Sequence, residues 1–458
     1  MALKLDLGGC FPEAGPSTED FLAAMPRAVA ARAEHLAQPP DWRGLGRRTE
    51  LLEACRERAA VILEQEPETF VVLGIGGSSL GNSALLGALA PFSQEWAPAD
   101  GRPRVVVLDT VDPDWLKGFL DSVEVDRCHF NVISKSGGTL ETAAQFLLFH
   151  DAVEKALGSR EEARSRFTMT TDPEGGHLRA LAEEQGFATL PIPSEVGGRF
   201  SVLTPVGLLM AEVAGLDAGS LLEGAAKTAD SLRECPPEED AALAWALAHV
   251  LHLEAGRPLH VHFPYGHRLR LLADWFLQLW AESLGKKEDA DGKVVHVGPT
   301  PVRAVGPTDQ HSQCQLYMEG PDDKVFTFVR VEKPDWDGSL PSSFADIPAF
   351  EALRGQDLGD LMEAERRGTE AVLREAGRPC AVLELCKLDA FHVGQYFMFF
   401  EIATAYAGGL MGVNPYDQPG VEAGKLAALA LMGAKGHEGR AEEISSLLGG
   451  EESLRFSC

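Results

Sequence analysis

The sequence predicts an α/β protein built on two parallel, doubly wound sheets, each flanked by helices. Two observations lead there. Short β-rich runs alternate with helix-like segments in two separate stretches of the chain. In the first stretch, loops rich in glycine and serine follow two of the runs, at the strand ends where open parallel sheets bind ligands.

The elements follow in order. Residues 1–45 carry several prolines and read as an N-terminal arm packed on the core. The first domain is expected over 46–212. Its strands are "FVVLGIGG" (70–77), "RVVVLD" (104–109), "FNVIS" (130–134), "RFTMTT" (166–171) and "ATLPIP" (188–193). Helices are expected around 80–90, 113–120, 140–156 and 175–185. The second domain, with C-terminal helices, is expected over 213–458. "SLRECPPEEDAA" (231–242) reads as a linker or a loop between helices. Strands are expected at 258–264, 302–306, 324–331 and 380–386, and long helices at 266–287 and 390–412.

Composition narrows the function. The chain has 458 residues, 45% of them hydrophobic, enough for a large core. Asp plus Glu number 69 against 41 Lys plus Arg, a net charge of -28. That argues against nucleic acid and anionic membranes as partners, because basic patches supply most of such affinity. An anionic ligand must therefore be held by a local site. The cysteines at 10, 55, 128, 235, 314, 380, 386 and 458 form no CxxC pair and no zinc spacing. They read as thiols of a reducing compartment. The first residues lack the basic and apolar regions of a secretory signal, and no stretch approaches a membrane span. A cytoplasmic protein is expected.

Six segments hold candidate chemistry. "GIGGSSLGNS" (74–83) follows a strand and precedes a helix. Glycines there let backbone approach a ligand, and a helix start offers N–H groups to an anion. Ser79 breaks the GxGxxG fingerprint, and a tight β–α turn capped by serine explains the segment equally. "SKSGGTLET" (134–142) is a second loop of the same kind, with Ser134, Ser136 and Thr139 as donors to phosphate oxygens. Capping by Ser136 and Thr139 is compatible with that. Two such loops favour a small phosphate ester over a nucleotide. In "EVGGRFSVLTPVGLL" (195–209), Arg199 stands just before a buried-looking run, either as half of a structural ion pair or beside a developing anion. "QLWAESLGKK" (278–287) puts Gln278 and Glu282 on one helix face. Among Trp275, Phe276, Leu279 and Trp280 a carboxylate is expected to be partly desolvated, which suits a base; a solvent-facing glutamate is the plainer reading. His311 lies in the polar loop of "GPTDQHSQCQLYMEGP" (306–321). Gln418 and Lys425 lie in "NPYDQPGVEAGK" (414–425), at a turn opening a helix. "HVH" (260–262) is better explained by strand alternation than by a metal.

Taken in order, "GIGGSSLG", "SKSGGTLET", "GGRFSVLTPVGLL", "AESLGK", "TDQHS" and "DQPGVEAGK" resemble the glucose-6-phosphate isomerase family over roughly residues 65–435. The resemblance implies two sugar-isomerase (SIS) type domains and a homodimer whose active sites are shared across the interface. It also implies no metal and no organic cofactor. It assigns Gly77 and Ser78 to a loop near the substrate phosphate, and Ser134, Lys135, Ser136 and Thr139 to the phosphate-binding turn. Arg199 would stabilise an enediolate, Glu282 would move the proton between C1 and C2, and Gln278 and Gln418 would contact substrate. His311, from the partner subunit, and Lys425 would open the sugar ring. Glu141 matches an acidic residue that supports the histidine. The departures are Ser79 for a common Asp, Leu284 for a frequent Asn, and Gly137-Gly138 for bulkier turn residues. Two other readings use the same loops: a sugar-phosphate-binding regulator without turnover, and an isomerase that also takes mannose 6-phosphate.

Overall fold

The computed structural model describes residues 3–95, 98, 101–336, 338–344 and 347–449. The chain divides after Pro415 into two compact units. Twelve strands lie in the first, among the described residues. The earliest is β1 (Lys4–Gly9). Then come β2 (Thr69–Leu73), β3 (Arg104–Leu108), β4 (Cys128–Ile133), β5 (Phe167–Thr171) and β6 (Ala188–Pro191). They are followed by β7 (Leu259–Pro264), β8 (Lys286–Glu288), β9 (Val294–Val297), β10 (Thr300–Arg303), β11 (Lys324–Val331) and β12 (Cys380–Leu385).

The first sheet has the order β3-β2-β4-β5-β6 and is parallel throughout. All residues of β2, β4 and β5 are buried, as expected for strands covered by helices on both faces. The second sheet has the order β1-β12-β11-β7-β10. Its last four strands are parallel, and β1 joins the edge of β12 antiparallel. The expected N-terminal arm is thus partly a strand. Leu5 and Leu7 turn inward while Lys4 and Asp6 face out, the period of two that a half-covered edge strand needs. Lys4 Nζ closes the edge with Glu384 at 2.6 Å and Glu332 at 3.1 Å.

Helices fill both faces. Helix Ala390–Met411 is apolar almost all round and nearly all of it is buried, which places it at the centre of the core. Of residues 231–242, only 235–240 form the connection; the rest are the end of helix Ala218–Glu234 and the start of helix Ala241–Glu254. Helix Arg270–Leu284 ends three residues before the expected 287. Gly285 follows it, and Lys286 begins β8, which pairs with β9 in a small hairpin. The seven described cysteines are free thiols, and Cys458 lies outside the described residues. Among the described residues no helix is long and apolar enough to cross a membrane. The second unit holds the helices Pro419–Leu431 and Glu438–Leu448.

Candidate functional site

Strands β2 and β4 are hydrogen-bonded neighbours, with Leu73 opposite Val132. The loops that start at Gly74 and Ser134 therefore leave the sheet side by side, at the point where strand order reverses. In the first loop, a Cβ on Gly77 would lie 2.3 Å from the carbonyl of Gly198 and 2.8 Å from the nitrogen of Arg199. Only glycine lets these two backbones meet, and the meeting sets Ser78 beside the turn that carries Arg199. Ser79 does not cap the next helix. It is fully buried and donates to Gly76 O at 3.2 Å.

The second loop is held from inside. Ser134 Oγ shares a hydrogen bond with Thr139 Oγ1 at 3.1 Å and accepts from Gly137 N at 3.1 Å. Ser136 Oγ accepts from Gly138 N at 3.2 Å. Thr139 stands at the N-cap of helix Leu140–Leu157 without a side-chain capping bond, so its hydroxyl serves the turn instead. Gly137 has φ 68° and packs on Leu178, where a Cβ would come within 2.1 Å of the backbone nitrogen. Gly137 thus meets a backbone demand, whereas a Cβ on Gly138 would make only ordinary contacts, the nearest at 3.8 Å. Lys135 Nζ turns away, donating to Ser194 O at 2.5 Å and Val196 O at 3.0 Å.

Arg199 is 3% exposed. Its Nη1 lies 3.3 Å from Glu282 Oε1, its Nε donates to Ser283 Oγ at 2.7 Å, and its Nη2 donates to Pro415 O at 2.6 Å. The two sequence readings of this arginine merge, because its ion-pair partner is the candidate base. Glu282 keeps 23% of its side chain exposed, and its second oxygen accepts from Gln278 Nε2 at 3.0 Å. Gln278 Oε1 is buried without a hydrogen-bond partner among the described residues, an acceptor poised for a ligand hydroxyl. A carboxylate between a fixed guanidinium and a fixed amide, open on one side, can exchange a proton with a bound molecule while the arginine faces the charge that forms.

Gly77, Arg199, Gln278 and Glu282 thus converge, and the Ser134–Thr139 turn is tied to them through Lys135. The remaining candidates stand on other elements. His311 follows a short turn after β10; its ring is exposed and has no hydrogen-bond or ion-pair partner among the described residues. Glu141 is in the first turn of helix Leu140–Leu157. Gln418 and Lys425 belong to the second unit, where Lys425 Nζ pairs with Glu422 at 2.8 Å. His260 accepts from Trp280 Nε1 at 3.0 Å and His262 bonds Tyr396 at 2.8 Å, so both are core groups. Burial pushes each imidazole down to about 3. Sequence reasoning missed Ser283, the carbonyls of Ser194, Val196 and Pro415, and Thr171, whose hydroxyl donates to Ser134 O at 2.7 Å. A carbonyl leaves no trace in residue type. Thr171 is detectable only as a hydroxyl at the end of the strand beside the loop.

Comparison with known proteins adds to this geometry. Residues 64–446 match the family model described as phosphoglucose isomerase. The glucose-6-phosphate isomerase of Rubrobacter xylanophilus is 44% identical, over 93% of this chain and 96% of that one. The enzyme of that name from Carboxydothermus hydrogenoformans is 42% identical, over 85% and 84%. A crystal structure of a hypothetical protein from Thermus thermophilus superposes with a TM-score of 0.84 at 37% identity, covering 94% of this chain and 100% of the other.

Proposed function

The chain belongs to the phosphoglucose isomerase family, and from that premise we propose that it interconverts glucose 6-phosphate and fructose 6-phosphate through a cis-enediolate. The observation that carries this reading is the Arg199–Glu282 pair at 3.3 Å, beside the Gly77 loop and the orphaned Gln278 oxygen. Glu282 takes the C2 proton of the open-chain aldose and returns it at C1. Arg199 faces the oxygens on which negative charge develops. The phosphate is held by the Ser134, Ser136 and Thr139 hydroxyls and by N–H groups of the same turn, with Gly77 and Ser78 alongside. Its role is to fix C1 and C2 against the base.

The remaining assignments come from the resemblance. His311 of the partner subunit and Lys425 open the ring, and Gln418 contacts the sugar. The exposed ring of His311, without a partner among the described residues, favours a homodimer with shared sites. The domains drawn at 46–212 and 213–458 each take in the parallel strands of one sheet, and the protein works in the cytoplasm without metal or organic cofactor. The base and its arginine favour turnover over a binding-only regulator. The test is a coupled assay of the purified protein with fructose 6-phosphate, with and without EDTA. Glucose 6-phosphate should form at the same rate in both; no product, or a rate lost to EDTA and restored by a divalent ion, overturns the reading.

A further inference from the structure

We propose that Lys135 is a positioning residue: it couples the phosphate-binding turn to Arg199 and does not itself hold the phosphate. The inference rests on the isomerase reading above and departs from the role that family resemblance gives this lysine.

The geometry is specific. Two N–H donors of the Lys135 ammonium go to the carbonyls of Ser194 and Val196, at 2.5 and 3.0 Å. These residues lie five and three positions before Arg199. Both ends of the brace are anchored. At the lysine end, Thr171 Oγ1, fully buried, donates to Ser134 O at 2.7 Å and to Lys135 O at 3.3 Å. At the other end, Ser194 Oγ donates to Asp172 Oδ2 at 2.8 Å, and Asp172 Oδ1 accepts from the backbone of Glu174 and Gly175. The segment from there to Arg199 has little slack. Val196 N donates to Pro193 O, Phe200 N to Gly197 O and Ser201 N to Gly198 O, each within 3.2 Å. A shift of the turn at Ser134–Thr139 therefore pulls on the backbone that sets the guanidinium.

The chemistry gives this brace a use. The phosphate is remote from the carbons that react, so its binding energy speeds the proton transfer only if it is delivered to the groups at those carbons. A misplacement of about 1 Å there costs on the order of 10²-fold in rate. An ammonium bonded to two neutral carbonyls makes a charge-assisted tie, stronger than a neutral one. The hydroxyls and amides of the turn remain to take the anion.

The test uses the full-length protein and Lys135→Met, with Lys135→Arg as the second variant, and inorganic phosphate as the probe. Amide exchange is followed in peptides covering 134–142 and 194–200, with kinetics alongside. In the parent, phosphate should slow exchange in both peptides. In Lys135→Met it should still slow 134–142 but no longer 194–200. The same variant should lose kcat by about 10²-fold, with inhibition by phosphate nearly unchanged. Lys135→Arg should restore part of kcat and of the linked protection, and it serves alone if the methionine variant does not fold. Weakened phosphate inhibition with kcat intact would make Lys135 a phosphate ligand and overturn the proposal. So would unchanged kcat together with unchanged linked protection. If phosphate protects neither peptide in the parent, the phosphate site itself is misassigned and the proposal falls, while the coupled assay with fructose 6-phosphate decides the isomerase reading separately.

Discussion

Counted along the chain, the first sheet runs 2-1-3-4-5, and the parallel strands of the second, β10-β7-β11-β12, run 2-1-3-4. The fifth place is taken by a parallel strand in one and by the antiparallel β1 in the other. Each sheet therefore has the same reversal of strand order, and each offers a crevice there. In the first, glycines, hydroxyls and backbone N–H groups line the loops after β2 and β4. In the second, a cavity of about 260 Å³ lies beyond β11, lined by Tyr265, Arg330, Glu332, Asp357, Asp360 and Glu363 among others. Its arginine is already paired with Glu363 at 3.0 Å and Glu384 at 3.3 Å. An anion entering it would meet Asp357 and Asp360, which have no ion-pair partner among the described residues, and two further carboxylates, Glu332 and Glu363. What the second sheet contributes to the site is the helix after β7, bearing Gln278 and Glu282. One topology gives two crevices, and only in the first do the side chains suit the phosphate of the proposed substrate.

The strongest way to break this division of labour is Glu282→Gln, which keeps the size of the group and removes the base. Turnover should fall by about 10²–10⁴-fold, with a folded protein that still binds phosphate. Near-parent rates would mean that the second sheet does not supply the base. Next come Ser136→Ala and Thr139→Ala in the first crevice. Each should weaken inhibition by inorganic phosphate by about 1–3 kcal/mol and leave kcat less affected. The threonine change should cost more, because its hydroxyl also holds Ser134. Unchanged inhibition in both would move the phosphate elsewhere.

A subtler contrast is pH. Burial holds the imidazoles of His249, His260 and His262, around the second sheet, and of His129 in the first, below their ordinary value of 6.5. For His260 and His262 the folded value is about 3. As pH falls from 6.5 towards 3, the unfolded chain takes up protons that the folded chain refuses. The stabilisation is complete above 6.5 and is lost at up to about 1.4 kcal/mol per pH unit for each histidine. Urea midpoints should drop between pH 7 and pH 5, and amide protection in β7 should fall more than in β4; equal losses would erase the contrast. The smallest effect expected is none at all. Calorimetric titration with phosphate should find one site per chain, and a second site would show that the acidic crevice is not closed to anions.

How much of this is visible in the sequence depends on how local its cause is. The buried parallel strands announce themselves as β-branched runs, because both faces are covered. The strand at Lys4–Gly9 does not: half its residues face solvent, and its partner lies far along the chain. The β8–β9 hairpin hid behind the end of an apolar helix, where Gly285 was the only mark. Motif order picks out Gly77, Arg199, Gln278 and Glu282, and the fold brings these four together. Their mutual geometry was not readable, since Arg199 meets Ser283 across 84 residues and no periodicity reports such a pair. Lys135 showed the limit most clearly. Its place in a phosphate-like loop suggested a ligand, while its bonds go to carbonyls, which residue type does not encode.

The edge strand β1 has a bearing on how the molecule is made. Lys4 reaches Glu384 across 380 residues of chain. On a ribosome the strand is therefore complete long before the residues it pairs with exist, and it must stay unpaired, or borrow another partner, for most of synthesis. Until it docks, β12 presents a bare edge to solvent, open to any extended segment nearby. Closing so wide a loop is a late step. The same arrangement leaves that edge sensitive to whatever is fused ahead of Lys4, so a tag placed there lengthens the very segment that must fold last.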